Sequence, residues 1–244
     1  MEKNNIGTFY GLGVGPGDPK LITLKALEII QAVDIVFIPV KKEGSESYAF
    51  NIVKEYVRPE TQEIIELVFP MVKDKETLLS SWDKASETVF TLINEGKSAA
   101  FITEGDPFFY STFIYLFERL KNKVPQEKIE VVPGITAFNA SASTSGFSVA
   151  NANDRLIVLP STYGVEKLGE YLLEFETIIL MKVNSVMEQV IEKIREYNLE
   201  KSFVFVERCG RPEERIITTI NELKETKINY LSLIIIHSKK HNNR

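Results

Sequence analysis

Five short stretches of this chain combine residue types and spacings that could meet a ligand. The first is Gly11-Leu12-Gly13-Val14-Gly15-Pro16-Gly17-Asp18-Pro19, four glycines at alternate positions between an apolar run and a helix-like segment. A backbone so bare of side chains can turn sharply and come close to a ligand or to another segment. A dinucleotide fingerprint asks for Gly-x-Gly-x-x-Gly, but Pro16 stands where the third glycine belongs. Asp34 opens the second strand-like run, whereas a ribose-binding carboxylate closes it. The full Walker phosphate-loop pattern is absent as well. The same glycines would serve a purely structural strand-to-helix turn equally well.

The second stretch is Thr103-Glu104-Gly105-Asp106-Pro107-Phe108-Phe109-Tyr110-Ser111-Thr112, at the end of another strand-like run. Asp106 before Pro107 is held extended or in a turn, which frees neighbouring backbone groups for a polar ligand. A simple β-turn uses the same residues. The third, Val131 to Phe138, contains Pro133-Gly134-Ile135-Thr136-Ala137 and leads into a segment rich in Ala, Ser and Thr, a helix that other groups can approach closely. Met181-Lys182 and Glu207-Arg208-Cys209 each close a strand-like run. Methionine in such a place is commonly core, and Cys209 has no histidine near it in sequence to activate it.

Other chemistries are poorly supplied. The chain has two histidines, His237 and His241, and no cysteine pair or carboxylate cluster at metal-ligand spacing, so no metal site is expected. No Gly-x-Ser-x-Gly elbow occurs. His237 is expected to be structural, in or at the end of the last strand.

These stretches need a scaffold that presents strand ends side by side. Short β-branched runs at Thr8–Val14, Asp34–Val40, Glu63–Phe69, Ser98–Thr103 and Lys128–Val132 predict a parallel sheet buried on both faces, with helices in the intervals. One helix is expected from Leu21 to Gln31, with Asp18 as its cap and Pro19 at its first position. Another is expected from Lys75 to Asn94. Runs at Leu156–Leu159, Thr177–Val183, Ser202–Glu207, Arg215–Thr219 and Tyr230–His237, with a helix at Val186–Tyr197, predict a second α/β domain. The interval before the last run is too short for a helical crossover, so this sheet should be mixed. The domains are placed at 1–134 and 135–244, with the ligand cleft expected between them.

Bulk properties bound the function further. The 244 residues are 44% hydrophobic, enough to bury real cores, and 29 basic against 34 acidic side chains give a net charge of −5. Nucleic-acid binders usually show a basic excess. One cysteine cannot form an internal disulfide, which points to a reducing compartment, the cytoplasm by default. The polar start, Met1 to Thr8, lacks the apolar run of a signal peptide. Apolar stretches such as Leu231–Ile236 are too short for a membrane span, so a soluble protein is expected.

Taken together, the glycine-rich opening followed by Leu24-Lys25-Ala26, then Glu104-Gly105-Asp106-Pro107, then Pro133-Gly134-Ile135-Thr136-Ala137, resembles the tetrapyrrole methyltransferase family across nearly the whole chain. Thr103 to Phe113 is most similar to precorrin-2 or cobalt-factor II carbon-20 methyltransferases. The resemblance implies two α/β domains, usually in a homodimer, with S-adenosylmethionine as methyl donor, S-adenosylhomocysteine as product and a ring carbon of a cobalamin precursor as acceptor. It implies cofactor contacts at Pro16, Glu104, Gly105, Asp106, Phe109, Thr136 and Ala137, completed by Met181 and the backbone near Cys209. Many members carry glycine in place of Glu104, and the Cys209 position varies. A methyltransferase of the same fold acting on another tetrapyrrole carbon, on ribosomal RNA or on a protein stays open as an alternative, as does a nicotinamide-dependent oxidoreductase.

For such a reaction Asp106 and Tyr110 are the candidate catalytic residues, to remove a proton or steer the substrate. A carboxylate-rich substrate needs a local basic rim on an acidic protein. Arg155, Lys182 and Arg208 are the candidate substrate contacts, with Lys41, Lys42 and Arg211 also at expected strand ends or loops.

Overall fold

The computed structural model describes residues 6–161, 165–225 and 227–238; His241 lies outside them. The chain divides into two compact units that part between Thr136 and Ala137.

In the first unit β1 (Phe9–Gly13), β2 (Ile35–Val40), β3 (Glu63–Val68), β4 (Ala99–Thr103) and β5 (Ile129–Val132) form one sheet in the order β3-β2-β4-β1-β5. Every pair in it is parallel. Its helices are α1 (Leu24–Ala32), α2 (Tyr48–Val53), α3 (Lys75–Asn94) and α4 (Phe113–Leu120). Successive strand side chains point to opposite faces, so Val36 and Ile38 join Leu12, Ala100 and Ile102 against Ala26 and Ile30 of α1 and Ile52 and Val53 of α2. Ile35, Phe37, Ala99 and Phe101 pack the other way, against Val89 and Ile93 of α3 and Phe113 and Leu116 of α4. Both faces are covered, which is why these strands read as continuous apolar runs rather than alternating ones.

The second unit comprises α5 (Ala137–Ser145), β6 (Leu156–Pro160), α6 (Leu168–Glu174), β7 (Thr177–Met181), α7 (Met187–Glu196), β8 (Phe203–Glu207), β9 (Arg215–Ile217), α8 (Ile220–Glu225) and β10 (Ser232–His237). Its sheet order is β6-β7-β10-β8-β9. The β6–β7 pair is parallel and the other three are antiparallel, as a mixed sheet requires. Ile178, Leu180, Phe203, Phe205, Ile234 and Ile236 pack on one face against α6, α7 and α8. The small-residue helix α5 contacts β8 and β10. Just beyond α5, the ring of Phe147 stacks on His237 with centroids 4.0 Å apart, and a ring nitrogen of His237 lies 2.7 Å from the Ser148 carbonyl. His237 is thus a structural residue.

Two expectations are corrected. Asp18 caps a single 3-10 turn, Pro19–Leu21, by accepting from Lys20 N, and α1 begins only after Thr23, whose hydroxyl accepts from Ala26 N. The proline and the Asp cap belong to the turn because Ile22 and Thr23 are extended between it and the helix. In the tail, six residues suffice for the short α8, and β9 pairs with β8 while β10 lies between β7 and β8.

Candidate active site

Strand order makes the first three stretches neighbours. β4, β1 and β5 are adjacent and parallel, with Gly13 level with Thr103 and Leu12 level with Val132, so the loops that follow them leave one sheet edge together. That carboxyl edge is where open α/β sheets bind ligands.

The loops are laced by backbone. Gly105 N donates to Gly15 O at 2.8 Å, Gly15 N returns a bond to Gly105 O at 3.4 Å, and Val14 N donates to Thr103 O. A Cβ at Gly134 would lie 2.0 Å from Gly105 O, and one at Gly13 would lie 2.5 Å from Gly134 N, so no other residue fits without moving main chain. Asp106 ties the second loop to the third. Its Oδ1 accepts from Phe108 N at 2.9 Å and its Oδ2 from Gly134 N at 3.1 Å. This is the loop-shaping use of Asp106, and each carboxylate oxygen keeps a second lone pair for a ligand. Deeper in the loop, the Ser111 hydroxyl lies 2.8 Å from Thr103 Oγ1 and accepts from Phe113 N, fixing the start of α4. Ser111 lies inside the second stretch, but nothing in its residue type marks this bracing role.

Among the residues expected to hold a cofactor, Pro16 is buried, while Glu104, Gly105, Asp106, Phe109, Thr136 and Ala137 are partly exposed. Thr136 Oγ1 is buried and has no hydrogen-bond partner among the described residues. A buried hydroxyl without a partner is costly, and a ligand's polar group would satisfy it; the Ser161, Thr177 and Ser232 hydroxyls of the second unit share the condition. Gly105 adopts φ 66°, and the nearest atoms to a Cβ built there are 3.9 Å and 4.0 Å away, so its outward side is open. The site therefore fits a polar ligand held by backbone and hydroxyl groups. Tyr110 also adopts a left-handed backbone, φ 51°, and its ring packs edge-on to Phe109 with centroids 4.7 Å apart.

In the second unit, Met181 ends β7 and Lys182 follows it. Lys182 N donates to Ser232 O at 2.7 Å, and Arg208 N donates to Leu231 O at 2.7 Å, so the two cations flank the start of β10 at one sheet edge. Both are left-handed, at φ 59° and 53°. The Lys182 ammonium sits 5.4 Å from the centre of the Tyr230 ring, a neighbour the sequence did not single out. The Arg208 guanidinium makes no ion pair among the described residues. Beside it, Glu207 is buried and neutralised by Arg215 at 2.9 Å. Cys209 is buried, and desolvation pushes its thiol up to about 11, so it is no nucleophile near neutral pH.

Arg155 does not join this group. Leu156 pairs with Thr177 and Pro160 with Met181, which puts Arg155 at the opposite edge of the sheet, roughly 20 Å from Lys182. There it is engaged by Glu176 and the Glu174 carbonyl and lies over the Phe175 ring. Its position before rather than after a strand separates it from the other two.

The oxidoreductase reading loses its carboxylate. Asp34 accepts from both Ser98 N and Ser98 Oγ at 2.7 Å, bonds that hold it below the usual carboxylate range, at the amino edge of the first sheet. The tripeptide Gly96-Lys97-Ser98 leads into a strand rather than a helix and has Thr91 where a Walker loop begins with glycine, so it is no phosphate cradle. Among the described residues no group of three His, Cys, Asp or Glu side chains could hold a metal, and no helix is long and apolar enough to cross a membrane.

Comparison with known proteins agrees with this architecture. The chain is 40% identical over 231 residues to a probable cobalt-precorrin-2 C(20)-methyltransferase of Methanocaldococcus jannaschii, covering 93% of this chain and 94% of that protein. It is 28% identical to the cobalt-precorrin-2 C(20)-methyltransferase of Salmonella typhimurium, covering 96% and 97%. Among solved structures, a cobalt precorrin-4 methyltransferase superposes with a TM-score of 0.74 at 22% identity, covering 97% of both chains, which establishes the fold. The model of the tetrapyrrole (corrin/porphyrin) methylases matches residues 8–224, and with these relatives it establishes that the chain belongs to that family.

Proposed function

We propose that this protein transfers a methyl group from S-adenosylmethionine to the meso carbon-20 of precorrin-2 or cobalt-factor II, a step of cobalamin biosynthesis. The observation that carries the reading is the lacing of three strand-end loops beside a buried, unsatisfied Thr136 hydroxyl, in a chain 40% identical to a protein named for that methylation. When bound, the cofactor supplies a sulfonium methyl that needs no further activation. The chain's task is to hold the two reactants in line and keep water out, and such positioning can supply ~7–11 kcal/mol of barrier lowering.

In the first unit the proposed cofactor contacts are Pro16, the backbone of Glu104 and Gly105, Asp106, Phe109 and Thr136. In the second they are Ala137, Met181 and the backbone at Cys209. Methylation leaves a proton on the attacked carbon, and the free lone pairs of Asp106 accept it. Lys182 and Arg208 supply the basic contacts that a polycarboxylate substrate needs on a chain of net charge −5. Arg155, at the other sheet edge, takes no part in this arrangement. The working form is proposed to be a homodimer in the cytoplasm, with no nucleic-acid partner.

The test is to incubate the purified protein with S-adenosylmethionine and either precorrin-2 or cobalt-factor II, and to weigh the product. A single added methyl, placed at carbon-20 by NMR, is the expected result. No mass gain with either macrocycle would overturn the assignment.

A further inference from the structure

Tyr110 is an unusual residue to find where the structure puts it. A left-handed backbone suits glycine or asparagine and is a genuine outlier for a bulky side chain, with a steric cost at Cβ that glycine would not bear. Strain of this kind persists where the surroundings enforce it, and it clusters at ligand clamps. Here the surroundings do enforce it. Phe108 N and Phe109 N both bond back to Asp106, the Asp106 carboxylate is clipped to Gly134 N, and Ser111 is locked to Thr103. The ring of Tyr110 is thus presented from a fixed loop at the sheet edge that carries the cofactor candidates, and it remains 44% exposed.

Its neighbour Phe108 offers a contrast. Phe108 is 49% exposed, yet its ring packs on Phe113 and Phe117 of α4, at 5.7 Å and 5.1 Å between centroids, so it anchors the loop to the helix. Tyr110 instead has Phe109 set edge-on against it, a buttress that fixes the ring's tilt. An aromatic side chain, with two rotatable bonds, loses little entropy on binding, and this one is part-exposed. It matches a flat conjugated ring system, whose apolar face stacks while carboxylates at its perimeter seek cations.

We propose that Tyr110 is a substrate-positioning residue whose ring face takes one flat face of the tetrapyrrole macrocycle. This rests on the methyltransferase reading above and adds to it a determinant of how the acceptor carbon is presented. The work is done by the ring and not by the phenol oxygen.

The test compares wild type with Tyr110→Phe, Tyr110→Ala and Tyr110→Gly. It measures KM and kcat for the macrocycle, Kd for S-adenosylmethionine, the shift of the macrocycle's absorption band on binding, and Tm. Tyr110→Ala and Tyr110→Gly are expected to raise the macrocycle KM about tenfold or more and to abolish the band shift, with the cofactor Kd within about twofold of wild type. Tyr110→Phe should restore both KM and band shift. Tyr110→Gly should keep Tm within a few degrees of wild type, because relief of the backbone offsets the lost Phe109 contact and glycine's chain entropy, so its binding defect cannot be blamed on misfolding. Methylation by wild type with an unchanged KM in the Ala and Gly variants would overturn the Tyr110 assignment alone. A Phe variant as impaired as Ala would overturn it in favour of the phenol oxygen. A wild-type protein that neither binds nor methylates either macrocycle would overturn the methyltransferase reading and this inference together.

Discussion

The two sheet edges that carry candidate residues are built on opposite principles. At the edge of the first sheet, Gly13 and Gly134 stand where a Cβ would strike main chain, so the loops close on one another because side chains are missing. At the edge of the second sheet, Lys182 and Arg208 occupy left-handed positions that glycine would fill without steric strain, and keep long cationic side chains there. The first edge shows sequence serving backbone packing. The second shows a backbone penalty borne at two cationic positions.

The first edge is most sensitive to an added side chain at Gly134. Gly134→Ala puts a methyl 2.0 Å from Gly105 O and 2.8 Å from the backbone of Gly13, so every atom it strikes is main chain. The expected loss is about 3 kcal/mol or more, with loss of S-adenosylmethionine binding, read by denaturant unfolding and calorimetric titration. A variant as stable as wild type would show that the three loops are not mutually locked.

A smaller effect of opposite sign is expected at the other edge. Lys182→Gly and Arg208→Gly relieve left-handed strain against the extra chain entropy of glycine, for a net gain of about 0.5 kcal/mol each. Tm should rise slightly while the macrocycle KM rises and its salt dependence weakens. If KM and salt dependence stay at wild-type values, the cations are solvated bystanders.

The smallest effect concerns Cys209, next to Arg208. Burial raises its thiol to about 11, so the neutral form is favoured in the folded chain. Its contribution is fully present below the unfolded thiol's value near 8.5–9 and is lost as pH rises through about 11. Iodoacetamide should label Cys209 negligibly at pH 8 and progressively faster toward pH 11. Rapid labelling at pH 8 would show that the second edge opens in solution.

Much of this was legible in the sequence. Strand runs in the first unit are apolar throughout because both sheet faces are covered, so their centres were read within a residue or two. Lys75–Asn94 was read to the residue because Asp74 caps it and Gly96, at φ 90°, stops it. The start of α1 departs from the sequence expectation because Asp18-Pro19 is as good a signal for a 3-10 turn as for a helix, and only packing selects between them. Residue type alone groups Arg155 with Lys182 and Arg208, and strand direction puts it at the far edge.

By itself, then, the sequence determined the α/β class, the apolar strands, and the glycine and Asp-Pro loops, since local sterics and burial periodicity are written in residue type. Tertiary structure alone decided that β4, β1 and β5 lie side by side, that Asp106 reaches Gly134, and that Tyr110, Lys182 and Arg208 turn left-handed. Strand order and strained dihedrals arise from contacts between residues far apart in the chain. No residue type at those three positions announces them.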